Sequence, residues 1–184
     1  MRCFIAIDLS DEVRHAVADC IQQLKPLSGD IRWVPPANLH LTLKFLGEIS
    51  GAQSQGIDRA LQELAVSFAP FSLDVSGTGV FPNQRRPHIL WVGIRYSADI
   101  IQLQAQVANA TSRLGFAREE RAFSPHLTIG RVKGLRGVDA ALSHFRTFQN
   151  AFFGSIEVHE IRLMQSILSP SGATYALVGR YQLG

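Results

Sequence analysis

The first apolar signal in the chain alternates. Residues Arg2 to Leu9 set Phe4, Ala6 and Asp8 on one side and Cys3, Ile5 and Ile7 on the other, the two-residue period of a strand. The period then lengthens to that of a helix. Ser10 is placed to cap it, Asp11 and Glu12 suit the positive end of its dipole, and Val13, Val17, Cys20, Ile21 and Leu24 form one apolar stripe. Gly29 and the stretch Trp33-Val34-Pro35-Pro36 end this unit and lead to a second strand, His40 to Leu46.

The same order returns later. His88 to Ile94 reads as a strand, and Ser97 is placed to cap a helix with Ile100, Leu103, Val107, Ala110 and Leu114 on its apolar face. A strand begins at His126. The tripeptide His-Leu-Thr occurs at 40 and again at 126, an offset of 86 that also lays Val17 on Leu103 and Ile21 on Val107. Such self-similarity is expected of an internal duplication, approximately 1–80 and 87–170. Each His-Leu-Thr strand is followed by another amphipathic stretch (Ile57, Leu61, Leu64, Phe68; Val138, Leu142, Phe145) and then by more strand, at 71–75 in the first half and at 156–168 and 175–183 in the second.

The expected fold class is therefore α+β: one bilobal domain spanning 1–184. Each of its two pseudo-symmetric lobes is a mostly antiparallel sheet with helices on the outer face, flanking a central groove. The terminal strands are free to cross between lobes.

Composition narrows the class without naming a function. With 46% hydrophobic and 18% charged residues among 184, the chain is an ordinary folded protein with no low-complexity tract. Its N-terminus lacks the pattern of a secretory signal and no segment is long enough to span a membrane, so a cytoplasmic protein is expected, working as a monomer. Cys3 and Cys20 are expected to be buried thiols. A net charge of +3 permits an anionic partner and does not require one.

The twin motifs carry the chemistry. Residues two apart on a strand share a face, so His40 projects with Thr42, and His126 with Thr128, while Leu41, Leu43, Leu127 and Ile129 point into a packed layer. Two such strands facing one groove supply two proton-transfer groups that titrate near pH 7 and two hydroxyls able to hold phosphate oxygens. Opening a cyclic phosphate with water needs that set: one group takes a proton from water while another gives one to the departing ribose oxygen. No metal-ligand spacing, P-loop or nucleotide-activating lysine motif is present, so no metal and no cofactor is expected.

The segments Phe4–Asp8, Arg32–Glu48 (RWVPPANLHLTLKFLGE) and Phe123–Arg131 (FSPHLTIGR) resemble the bacterial and archaeal branch of the two-histidine (2H) phosphoesterases, once called 2′-5′ RNA ligases or LigT-like proteins. The resemblance implies an RNA 2′,3′-cyclic phosphodiesterase with a bilobal fold. Such an enzyme converts a terminal 2′,3′-cyclic phosphate to a 2′-phosphomonoester without metal, and some members reversibly join RNA through 2′-5′ linkages. It assigns His40 as proton donor and His126 as proton acceptor. The partners it implies are RNA with a cyclic phosphate terminus, such as tRNA halves, or small cyclic nucleotides. Two alternatives remain: a 2H phosphodiesterase for another cyclic or 2′-5′ linked nucleotide, and a non-catalytic RNA- or nucleotide-binding module.

Four further residues are candidates for substrate contact. By strand parity Arg131 points away from the catalytic face unless a bulge at Gly130 turns it back; an arginine recurs there in the resembling proteins. Phe45 is its counterpart, for which parity favours core packing over base stacking. Arg85 and Arg86 sit in a stretch that reads as an exposed basic loop, 81–87. Lys44 shares parity with His40 and is expected in the groove, and Trp33 is expected to pack on Pro35 or Pro36.

Overall fold

The computed structural model describes residues 1–184 as two antiparallel sheets and four helices. The elements are β1 (Arg2–Ile7), α1 (Asp11–Leu24), β2 (Ile31–Trp33), β3 (Leu41–Glu48), α2 (Gly51–Val66), β4 (Phe71–Asn83), β5 (Arg86–Ile94), α3 (Ala98–Ser112), β6 (His126–Val132), α4 (Val138–Phe145), β7 (Phe152–Val158), β8 (Glu160–Ser169) and β9 (Gly172–Gln182). One sheet runs β3-β1-β8-β9 and the other β2-β6-β5-β4-β7.

Local chemistry sets the helix ends. Ser10, Ser50 and Ser97 each accept a backbone N–H from the third residue on, and Gln53 returns a bond to Ser50 to complete a capping box. The stripe Val13, Val17, Cys20, Ile21 and Leu24 is buried throughout. On α3 the buried face is Ile100, Leu103, Val107 and Thr111, with Ala110 and Leu114 only partly covered; Thr111 is accommodated because its hydroxyl bonds the Val107 carbonyl at 2.8 Å. Cys3 and Cys20 are buried free thiols.

The two halves of the chain exchange elements. Strands β2 and β4 of the first half belong to the second sheet, while β8 and β9 return to the first. Helix α1 packs against β7 of the second sheet, whereas α2 and α3 cover β9 and β3 of the first. The apolar faces accordingly merge into one continuous core that includes Ile5, Leu41, Leu90 and Leu127.

Three strand boundaries differ from those expected. The stretch expected as strand at 156–168 is broken at His159, because β7 and β8 lie in different sheets. Strand β4 continues to Asn83 through Gly77, Gly79 and Pro82, residues that ordinarily end a strand. The basic loop therefore shrinks to a turn at Gln84-Arg85, with Arg86 opening β5; the Asn83 side chain accepts the backbone N–H groups of Arg85 and Arg86 at 3.0 and 3.1 Å.

Candidate active site

Strands β3 and β6, which carry the two His-Leu-Thr segments, come within 8 Å of each other between Cα atoms. His40 immediately precedes β3 and His126 opens β6. Alternation behaves as expected for the first four residues: Leu41, Leu43, Leu127 and Ile129 are buried, while His40, Thr42, His126 and Thr128 stay partly open.

Both imidazoles are held in the same way. The Nδ1 atom of His40 lies 2.7 Å from the Asn38 carbonyl, and that of His126 lies 2.7 Å from the Ser124 carbonyl. A carbonyl only accepts, so each Nδ1 carries a hydrogen and each neutral ring keeps its lone pair on Nε2. Either histidine is thereby able to take a proton at Nε2 or, once protonated, to give one.

Their surroundings differ. The His40 ring packs against Phe4 (4.7 Å between centroids) and edge-on to Tyr175 (5.2 Å), beside a cavity of about 160 Å³ that Asp8, Arg14 and Arg162 also line. Burial lowers the His40 pKa below its ordinary value, as Arg14 does to a lesser degree, against upward contributions from the Asn38 carbonyl and Asp8. Behind it stands a fixed frame. Arg14 donates to the carbonyls of Pro36 (2.6 Å) and Leu39 (3.1 Å) and to Asp8 (2.5 Å), Arg162 donates to the other Asp8 oxygen (2.5 Å), and Asn38 donates to the Ala173 carbonyl (2.8 Å). His126 has no such frame; Phe81 meets its ring edge-on at 5.1 Å.

One bulge in each strand re-sorts the residues beyond the threonines. In β3 the register skips Leu43, with Thr42 opposite Ala6 and Lys44 opposite Ile5. In β6 it skips Ile129, with Thr128 opposite Trp91 and Gly130 opposite Leu90. An extra residue reverses parity. Lys44, expected in the groove, is instead only 3% exposed and donates to the Ala117 carbonyl and to Glu119 (3.3 Å). Phe45, for which parity favoured the core, is 64% exposed beside Phe4 on the catalytic face. Arg131 is turned back to that face as well, by the bulge at Ile129 and not at Gly130. Gly130 serves another need: the Trp33 ring would lie 3.0 Å from a Cβ at this position, so Trp33 covers Gly130 and donates to Ser28.

Arg85 and Arg86 are exposed at the β4–β5 turn, four and five residues beyond Phe81. Three contributors carried no sequence signal of their own. Tyr175 and Arg162 reach His40 only because β8 and β9 return to the first sheet, and Trp91 reaches the groove as the neighbour of Thr128. The Trp91 indole N–H is buried without an acceptor, its ring resting over Gly79, where any Cβ would collide with it.

The model of the 2′-5′ RNA ligase superfamily matches residues 9–167, which include both His-Leu-Thr segments. The chain belongs to this superfamily. Among curated relatives of this 2′-5′ RNA ligase superfamily member, one from Archaeoglobus fulgidus named RNA 2′,3′-cyclic phosphodiesterase is 38% identical over 175 residues, covering 95% of this chain and 96% of the relative. Among solved structures, TT0787 of Thermus thermophilus superimposes with a TM-score of 0.86 at 27% identity, covering 100% of this chain and 98% of that one. LigT of E. coli in its apo form gives 0.78 at 27% identity, covering 99% and 96%. The α+β two-sheet fold is thus shared with both of these proteins.

Proposed function

We propose that this chain is a metal-independent RNA 2′,3′-cyclic phosphodiesterase that opens a terminal cyclic phosphate to a 2′-phosphomonoester by two-histidine acid–base catalysis. What supports the reading is the pair of histidines with Nδ1–H fixed on a backbone carbonyl, each two residues before a threonine on strands that approach within 8 Å, in a chain 38% identical over nearly its full length to a relative of that name.

The cyclic phosphate lies between Thr42 and Thr128, whose hydroxyls donate to its non-bridging oxygens. His126 Nε2 takes a proton from the attacking water. His40, protonated at Nε2, gives one to the departing 3′ oxygen of the ribose, and the 2′ oxygen keeps the phosphate. Burial favours the neutral form of His40 in the free protein, so the negative charge of the bound phosphate is what raises its protonated fraction. Arg131 stabilises phosphate charge from the same face and Phe45 offers a ring for base stacking. Arg85 and Arg86 supply positive charge to incoming RNA farther along. All of these residues belong to one chain, so a monomer suffices for the reaction. The same groove accommodates small cyclic nucleotides or tRNA halves, and the same step with an RNA 5′-hydroxyl attacking in place of water, the 3′ oxygen again departing, gives a 2′-5′ phosphodiester; the reverse of that step cleaves it.

The test is incubation of the protein with RNA ending in a 2′,3′-cyclic phosphate, in the presence of EDTA. Accumulation of the 2′-phosphate is expected. Formation of the 3′-phosphate, or no turnover, contradicts the reading.

A further inference from the structure

The two walls of the groove differ in the row of side chains just beyond the threonines. In the first sheet, cross-strand pairing aligns Phe45, Phe4, Met164 and Leu177, an apolar row. In the second sheet the corresponding row is Arg32, Arg131, Ile89 and Phe81. Arg32 and Arg131 are direct partners across β2 and β6, and both are exposed. Directly opposed like charges destabilise a sheet. Neither arginine forms an ion pair with a carboxylate, although Arg14, Arg95, Arg136 and Arg162 all do. Arg32 donates only to the Ser171 carbonyl at 3.2 Å, its guanidinium resting against the backbone of Gly172 in the β8–β9 turn. It therefore spans from the second sheet to the first at the edge of the groove and retains free donors.

Position supplies the ligand's chemistry. With the bulge discounted, Arg131 stands one pleat repeat from Thr128, about 7 Å along the strand, and Arg32 lies one strand farther out, about 4.8 Å. That displacement from the threonine site is on the scale of one nucleotide of backbone. We propose that Arg32 binds the phosphodiester on the 5′ side of the terminal nucleotide, making the protein selective for the ends of RNA chains over cyclic mononucleotides. The inference rests on the reading of the groove as a cyclic-phosphate site. Phosphate binding also accounts for the unopposed pair, since an anion between two guanidiniums removes their repulsion.

Three substrates separate the possibilities: a 2′,3′-cyclic mononucleotide, a dinucleotide with the same cyclic end, and that dinucleotide with a neutral methylphosphonate at its internal linkage. For the wild-type protein, kcat/KM on the charged dinucleotide is expected to exceed that on the methylphosphonate by about tenfold or more, the effect of a hydrogen bond to a charged group. Arg32→Gln should bring that ratio close to one and lower the salt dependence of dinucleotide binding by about one phosphate contact, with Arg32→Lys restoring part of both. A wild-type protein that treats the two dinucleotides alike overturns the inference while leaving the cyclic-phosphate reading intact, as does an Arg32→Gln variant that keeps the wild-type ratio. Failure of the wild-type protein to open any of the three overturns both.

Discussion

The two histidine-bearing strands share a backbone and differ in everything packed around it. Each carries His-Leu-Thr, each fixes its imidazole through a carbonyl two residues earlier, and each bulges one residue after its threonine. Yet His40 is walled by Phe4 and Tyr175 and framed by Asp8, Arg14 and Arg162, while His126 meets one aromatic edge, on a strand whose Arg131 pairs with Arg32. A repeated strand thus supplies two similarly held imidazoles in unlike surroundings, and burial lowers the pKa of His40.

The comparison breaks most completely when a histidine is removed. His40→Ala and His126→Ala should each lower turnover by about 10²–10⁴-fold, since each deletes one proton-transfer partner while leaving the threonines to bind phosphate. Single-turnover assays beside binding measurements check this. A properly folded variant with near wild-type turnover removes that histidine from the mechanism.

The threonines should matter next. Thr42→Val and Thr128→Val preserve shape and remove one hydroxyl each, so a loss of about 1–3 kcal/mol in transition-state stabilisation is expected in kcat/KM, with little change in melting temperature. Unaltered kinetics in both variants exclude a phosphate clamp.

The frame behind His40 has no counterpart at His126, so perturbing it should affect one histidine alone. Arg14→Ala frees the Pro36 and Leu39 carbonyls and should lower kcat by about tenfold through misplacement of His40. The checking measurement is the imidazole NMR titration: the His40 resonance should move while that of His126 stays. Equal disturbance of both contradicts the asymmetry.

Stability carries the smallest effect. The folded state holds His40 neutral by burial, whereas the unfolded chain protonates near its ordinary pKa of about 6.5. The unfolded state therefore binds more protons, and stability falls as pH drops below about 6.5. His40→Gln should flatten part of that acid decline in melting temperature.

Much of this was legible in the chain and some was not, for definite reasons. The strand and helix periods, the serine caps and the spacing of the two His-Leu-Thr segments follow from local rules; they carried the fold class and made His40, Thr42, His126 and Thr128 the candidate set. Parity failed at Lys44 and Phe45 because a bulge is set by pairing between strands: nothing in Leu43 itself distinguishes it from a residue in a regular ladder. The same slip at Ile129 returned Arg131 to the groove. Gly77, Gly79 and Pro82 hid half of β4 because strand interiors seldom hold them; Gly79 is tolerated because it makes room for Trp91. Tyr175 and Arg162 were unreadable as partners of His40 until the exchange of strands between the two sheets brought them there.

The central claim is that two histidines in opposite protonation states open the phosphate without a metal, and the pH dependence of kcat/KM between about pH 4.5 and 9, with and without EDTA, tests it most directly. A bell is predicted, because activity needs one imidazole charged and the other neutral. Its acid-side limb should lie below about 6.5, since burial lowers the pKa of His40 in the free protein. The kcat profile should shift toward higher pH as bound phosphate raises that value, and the two curves with and without chelator should coincide. A flat profile, or activity lost to EDTA and restored by added metal, would contradict the account.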